Sequence, residues 1–260
     1  MTQTRRTFLV SAAATAAGTT IMPFAAMAAA HASNSFETDA GTITVHPVEH
    51  ASFVLETPKG VIYVDTVGGG DKYADMPAAD MVLITHEHGD HYNAETLDAV
   101  VGEDTMLVTN PSVYDMLSEA MQAKATAMAN GDSGEMMGVG ITAIPAHNTT
   151  EERMNFHPEG RDNGYVLDFD GFRIYVSGDT EVTDEMRALE NIDVAFVCMN
   201  LPFTMDAEQA AGGVNAFQPG VVYPYHYRGR DGGTQDPEAF ASMVEGSEVA
   251  MGEWYPNGLG

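Results

Sequence analysis

Met81-Val82-Leu83-Ile84-Thr85-His86-Glu87-His88-Gly89-Asp90-His91 decides how this 260-residue chain is read. The first five residues form an apolar, β-type run that predicts a buried strand. The next six place three imidazoles and Asp90 at the strand's exit, with Gly89 permitting a turn that a Cβ would obstruct. Crowding such groups beside a buried strand costs desolvation and mutual repulsion unless a cation compensates. Imidazole and carboxylate together suit zinc and related first-row ions.

Further donors are expected at other strand exits. His147 follows the run Ile141 to Ala146, and His226 follows Val221 to Tyr225. Asp179 lies in Ser177-Gly178-Asp179-Thr180, just after an expected hairpin of Tyr165 to Phe169 and Phe172 to Val176 across Asp170-Gly171. Four segments would then present ligands at one sheet edge. Upstream, Thr42 to Val48, Ala51 to Glu56 and Val61 to Val64 read as strands. Asn110-Pro111 opens a helix whose apolar stripe runs through Val113 and Leu117 to Met121, with Asn130-Gly131 as its stop. Asp193 to Met199 reads as another buried strand, and a last helix starts at Asp236-Pro237. The order β-rich, α, β-rich, α predicts an α/β (α+β) domain of packed sheets with helices outside.

Residues 1–32 read as an address rather than as structure. Arg5-Arg6 precedes a modest apolar, Ala-rich stretch ending in small residues, the pattern of a twin-arginine export signal. Cleavage after Ala28, Ala30 or Ala32 would leave a single domain, residues 33–260, in the periplasm or outside the cell. Thr19, Thr20 and Pro23 interrupt the stretch and disfavour a membrane anchor, so no stable membrane association is expected after cleavage. The chain carries 11 Lys+Arg against 38 Asp+Glu, a net charge of −27. Such a field repels phosphate backbones, which argues against a nucleic-acid partner and for a small-molecule substrate. The single cysteine, Cys198, reads as a small buried hydrophobe.

The set His86, His88, Asp90, His91, His147, Asp179 and His226 resembles the ligand pattern of the metallo-β-lactamase superfamily. Closer resemblance is to its small metal-dependent hydrolase branch, relatives of ascorbate-6-phosphate lactonase. Val48-Glu49-His50-Ala51-Ser52-Phe53 is similar to that branch's opening Gly-His-Ala-Ser/Thr-Phe motif, with Glu49 in place of glycine. The resemblance implies a four-layer αβ/βα sandwich holding two divalent ions, zinc by default with manganese or iron as alternatives. It assigns His86, His88 and His147 to one ion, Asp90, His91 and His226 to the other, and Asp179 between them. Two such ions share a hydroxide that attacks a small ester, lactone or related bond, with Asp90 orienting it and handling a proton. Asp65 resembles the acid that orients a ligand imidazole, while His50, His157, Arg228 and Arg230 are candidates for the pocket wall. An iron-dependent oxidoreductase and a non-catalytic metal-binding protein are the alternatives on the same scaffold.

Overall fold

A computed structural model describes residues 34–259; the expected export signal, residues 1–32, lies outside them. The described residues open with the strands β1 (Ser35–Thr38), β2 (Gly41–Glu49), β3 (Ser52–Thr57) and β4 (Gly60–Val64), paired antiparallel in sequence order. Three strands are then added in parallel, β5 (Met81–Leu83), β6 (Met106–Thr109) and β7 (Ala125–Ala127). Between them lie the helices α1 (Ala94–Val100), α2 (Pro111–Met116) and α3 (Glu119–Gln122). The second half repeats this plan. Strands β8 (Ser133–Met136), β9 (Val139–Ala146), β10 (Asp162–Phe169) and β11 (Phe172–Val176) pair antiparallel. Strands β12 (Val194–Cys198), β13 (Val221–Tyr225) and β14 (Glu248–Val249) continue that sheet in parallel. Helices α4 (Asp184–Arg187), α5 (Ala207–Phe217) and α6 (Pro237–Met243) connect them. Each half is thus one seven-stranded sheet.

Strand side chains alternate between faces, and here both faces are buried. On β3, Phe53 and Leu55 enter the core between the sheets, whereas Val54 packs with Leu97 and Val113 beneath α1 and α2. On β5, Met81 and Leu83 face the central core and Val82 the outer one, which Ile84, just past the strand, also joins. The central layer is closed by Phe53 of β3 stacked on Phe196 of β12, with ring centroids 4.1 Å apart. Truncating either ring to alanine would cost about 3–5 kcal/mol. On the far side, Tyr175 of β11 meets Phe217 of α5 at 5.8 Å, so the second sheet is also covered by helices. The expected four-layer sandwich is therefore the observed one.

The β10–β11 hairpin turns where expected. Asp170 (φ 56°) and Gly171 (φ 103°) both take the left-handed region, and Gly171 N–H donates to the Asp168 carboxylate at 2.7 Å. The helix expected from Asn110 toward Asn130 is different: it divides into α2, α3 and the edge strand β7. Leu117 is extended (φ −69°, ψ 148°), and the Ser118 hydroxyl starts a new helix by accepting from Met121 N–H. The cause is packing. Val113 and Leu117 belong under the outer face of the first sheet, whereas Met128 is buried between the sheets. One straight helix cannot serve both layers.

Candidate metal centre

The segments that follow β2, β4, β5, β9, β11, β12 and β13 carry polar side chains to one edge of the sandwich, and their backbones are fixed before any ligand is considered. After β5, the carbonyl of His88 accepts the N–H groups of His91 (2.9 Å) and Tyr92 (2.8 Å), and Asn93 caps α1. Gly89 does not make this turn through its conformational freedom. Its φ is not positive and an added Cβ would meet nothing within 4 Å. The freedom is needed at Gly178, where φ is +59° and a Cβ would lie 2.8 Å from Asn163 O. That close approach lets the loop after β11 reach the site.

The imidazoles and carboxylates form three groups, two of them sharing His86: His86, His88 and His157; His50, Asp90 and His226; and His86, His91 and Asp179. Within each group the donor atoms lie within 4.8 Å of one another. Asp179 stands at the middle. Its Oδ1 is 3.3 Å from His91 Nε2 and 3.2 Å from His226 Nε2, while its Oδ2 is 3.4 Å from His157 Nε2. Asp90 Oδ2 lies 3.4 Å from His50 Nε2 and 3.6 Å from His226 Nε2.

The ring orientations come from the surrounding shell. Asp65, itself buried with φ 48°, accepts from Thr85 N–H and Thr85 hydroxyl and meets His91 Nδ1 at 2.8 Å. Asp162 performs the same service for His157 Nδ1 at 3.0 Å and also receives the Arg161 guanidinium. Tyr255 hydroxyl meets His50 Nδ1 at 2.7 Å. His50 N–H donates to Trp254 O, and His226 N–H donates to His50 O, so both left-handed histidines are clamped from the backbone.

Two sequence expectations move here. His147 stays at the end of β9 with its ring nitrogen 3.3 Å from Asn148 O, while its backbone is tied to Thr180. The structure does not bring it into any of the three groups; His157, taken from sequence as a pocket residue, occupies that place. His50 likewise joins Asp90 and His226 rather than standing at the wall. The signal that could have promoted His157 is Asp162, five residues on, whose carboxylate fixes its ring. Sequence reasoning misses Tyr255, Asp162 and Asn200, the last with its side-chain amide nitrogen 3.0 Å from His226 Nε2. Glu87 faces outward onto Arg161 at 3.3 Å.

The electrostatics suit a bound cation. Burial, reinforced by His91 and His157, holds His86 well below the usual imidazole range. Burial and then His226 bring His50 down to about 4. These rings are neutral at pH 7, the form that ligates metal. Burial would raise the Asp179 carboxyl, but His226 and His91 outweigh it and hold it well below its usual range. For His91, burial is likewise outweighed, by Asp179 and Asp65, which lift it well above the usual range. A cation is what those carboxylates demand. Three buried atoms aimed inward, His91 Nε2, His157 Nε2 and Asp179 Oδ1, have no hydrogen-bond partner, an arrangement costly without a metal. The donor set therefore fits divalent ions.

Comparison with known proteins agrees. Residues 44–226 match the family described as the β-lactamase superfamily domain. A UPF0173 metal-dependent hydrolase of Thermococcus kodakarensis is 30% identical over 202 residues, covering 75% of this chain and 89% of the relative. Another, from Pelotomaculum thermopropionicum, is 33% identical over 215 residues, covering 77% and 91%. The solved structure of a protein described as a metal-dependent hydrolase, from Parabacteroides distasonis, superposes with a TM-score of 0.76 at 37% identity, covering 85% of this chain and 98% of that one.

Proposed function

The chain belongs to the UPF0173 metal-dependent hydrolases of the β-lactamase superfamily, and we propose that it is an exported two-ion enzyme that opens a small ester or lactone. The supporting observation is the Asp179 carboxylate, whose two oxygens face different imidazoles, with uncompensated buried nitrogens on both sides. His86, His88 and His157 would hold one ion; His50, Asp90 and His226 would hold the other, with His91 and Asp179 available between them. Bound ions, zinc by default, supply Lewis acidity and lower the pKa of water toward neutrality.

The protein's own contribution is orientation. Asp65 and Asp162 fix the rings of His91 and His157, a role that tunes affinity and geometry. Asp90 remains a carboxylate, because the hydrogen bond from His50 and the charges of His91 and His226 outweigh the effect of burial. With its side chain 45% exposed, Asp90 can accept a hydrogen bond from an attacking water and aim it at a carbonyl carbon. Arg5-Arg6 and the Ala-rich stretch support export through the twin-arginine route, and the acidic surface supports a small molecule over nucleic acid.

The test is a hydrolysis screen of zinc-loaded protein against lactones, carboxyl esters, phosphodiesters and a cephalosporin, repeated after chelation. Ester or lactone turnover that stops on chelation and returns with zinc is expected. Turnover that survives complete metal removal would refute the reading.

A further inference from the structure

Beside the metal centre lies a pair of arginines that the chemistry above leaves unused. Arg228 and Arg230 follow His226 on a loop seated against the carbonyl of Leu201, an approach possible only because Gly229 and Gly233 lack side chains. Lys59, Lys72, Arg153, Arg161 and Arg173 all have carboxylate partners. Arg228 and Arg230, like Lys124 and Arg187, have none among the described residues, but only the first two lie beside a ligand candidate, two and four residues after His226.

What holds them is aromatic. The Arg228 guanidinium carbon lies 5.0 Å from the centroid of Tyr255, and that of Arg230 lies 5.1 Å from the centroid of Phe203. Stacking of this kind fixes a guanidinium plane while leaving its N–H fork and its charge uncommitted. One support touches the metal centre and the other packs on the residue next to it. The Tyr255 hydroxyl meets His50 Nδ1 at 2.7 Å and accepts Arg228 N–H at 3.1 Å. Phe203 packs edge-on at 5.1 Å against Phe156, the residue before His157, and Phe156 is 37% exposed. Tyr255 thus ties Arg228 to His50, and Phe203 ties Arg230 to the exposed ring that precedes His157. The positive charge of Arg228 also reaches Lys72, whose ammonium is lowered by burial and then by that charge.

We propose that Arg228 and Arg230 form an oxyanion subsite that selects small substrates bearing a carboxylate or phosphate on an apolar body resting against Phe156 and Phe203. The proposal rests on the hydrolase reading for its use but not for its test. A strongly acidic protein repels anions at long range, so a pair of arginines without carboxylate partners beside the centre gives local attraction where the field would otherwise forbid it.

Isothermal titration of the zinc-loaded full chain with benzoate, phenylphosphonate and neutral benzamide reads the subsite directly, with zinc content measured on each sample. Arg228→Ala/Arg230→Ala is expected to weaken the tighter-binding anion by about ten-fold or more, the worth of a charge-assisted hydrogen bond. Benzamide binding should stay within about two-fold, and whichever anion suffers the larger loss names the group the subsite takes. Arg228→Lys/Arg230→Lys should recover only part of the affinity, since an ammonium offers no planar fork. The single variants, each expected to show part of the loss, keep the test decisive if the double variant misfolds. Anion binding that ignores the arginines, or a loss equal for benzamide, overturns the subsite. Hydrolysis is scored separately: arginine-dependent anion binding without turnover counts against the enzyme, and turnover without arginine-dependent binding counts against the subsite alone.

Discussion

Asp65 shows how much of this centre depends on residues that need not touch a metal. Its carboxylate is fully buried, accepts two hydrogen bonds from Thr85 and faces His91 Nδ1, leaving Nε2 to point at Asp179. Asp65→Asn keeps the shape and removes the charge. Zinc affinity, measured by competition with a chromophoric chelator, should fall about 10–100-fold with the fold intact. An unchanged affinity would mean that Thr85 and packing alone orient the ring. A second comparison separates the two histidines. His157→Ala should lower the zinc bound per chain under limiting metal, whereas His147→Ala should leave it at the wild-type level. The reverse result would return His147 to the site. Local order explains what was readable. His86, His88, Asp90 and His91 are fixed within one loop, so their spacing alone brings them together. Choosing between His147 and His157 requires knowing how residues 148–161 fold back, which depends on contacts with Glu181 and Phe203 far along the chain.

Those contacts make the connection between β9 and β10 a rigid element rather than a free loop. Glu181, buried just after Asp179, accepts from Thr149 N–H (2.7 Å), Thr150 N–H (2.6 Å), both threonine hydroxyls and Arg153 (2.5 Å). Asn148 N–H donates to His157 O at 2.8 Å, which closes the loop on itself. Burial alone would raise the Glu181 carboxyl, but the Thr150 hydroxyl, the backbone N–H groups and Arg153 together lower it. A carboxylate depressed in the folded state adds stability that is present above its unfolded pKa, about 4.3, and is lost as pH falls through the folded value. Glu181→Gln should therefore cost about 2–3 kcal/mol at pH 7, by denaturant unfolding, and should flatten the loss of stability below pH ~4. Equal acid slopes for both proteins would show that Glu181 is not the titrating clamp. Secondary structure is legible unevenly for a reason at the same scale. The β10–β11 hairpin is dictated by Asp170-Gly171, but the break at Leu117 obeys the layers it connects, and no residue within that segment announces it.

The molecule as a whole is built twice from one plan, four antiparallel strands followed by three parallel ones, and the centre inherits that pairing. Asp65 follows β4 as Asp179 follows β11, and His50 lies between β2 and β3 as His157 lies between β9 and β10. No sequence repeat records this, because the two halves share strand order and burial rather than side chains. Onto this frame the sequence lays its charge. Residues 33–260 carry 9 cations and 38 acids, giving 9 − 38 = −29, since residues 1–32 contain Arg5 and Arg6 and no acids. Self-repulsion of that size destabilises the compact state, and salt relieves it as the Debye length falls from about 10 Å at 0.1 M to about 3 Å at 1 M. Raising sodium chloride across that range should lift the melting temperature; recovery of about 2 kcal/mol corresponds to about 4–8 °C for a domain of this size. A flat or falling profile would mean that the acids are spaced widely enough, or paired well enough, to carry no penalty. Salt should act with the opposite sign on the arginine pair. Screening weakens the attraction between an oxyanion and Arg228 and Arg230, so anion affinity should fall over the interval in which the fold gains stability. If both rose together, salt would be acting by exclusion from the surface rather than by screening, and the charge argument for the fold and for the subsite would fail at once.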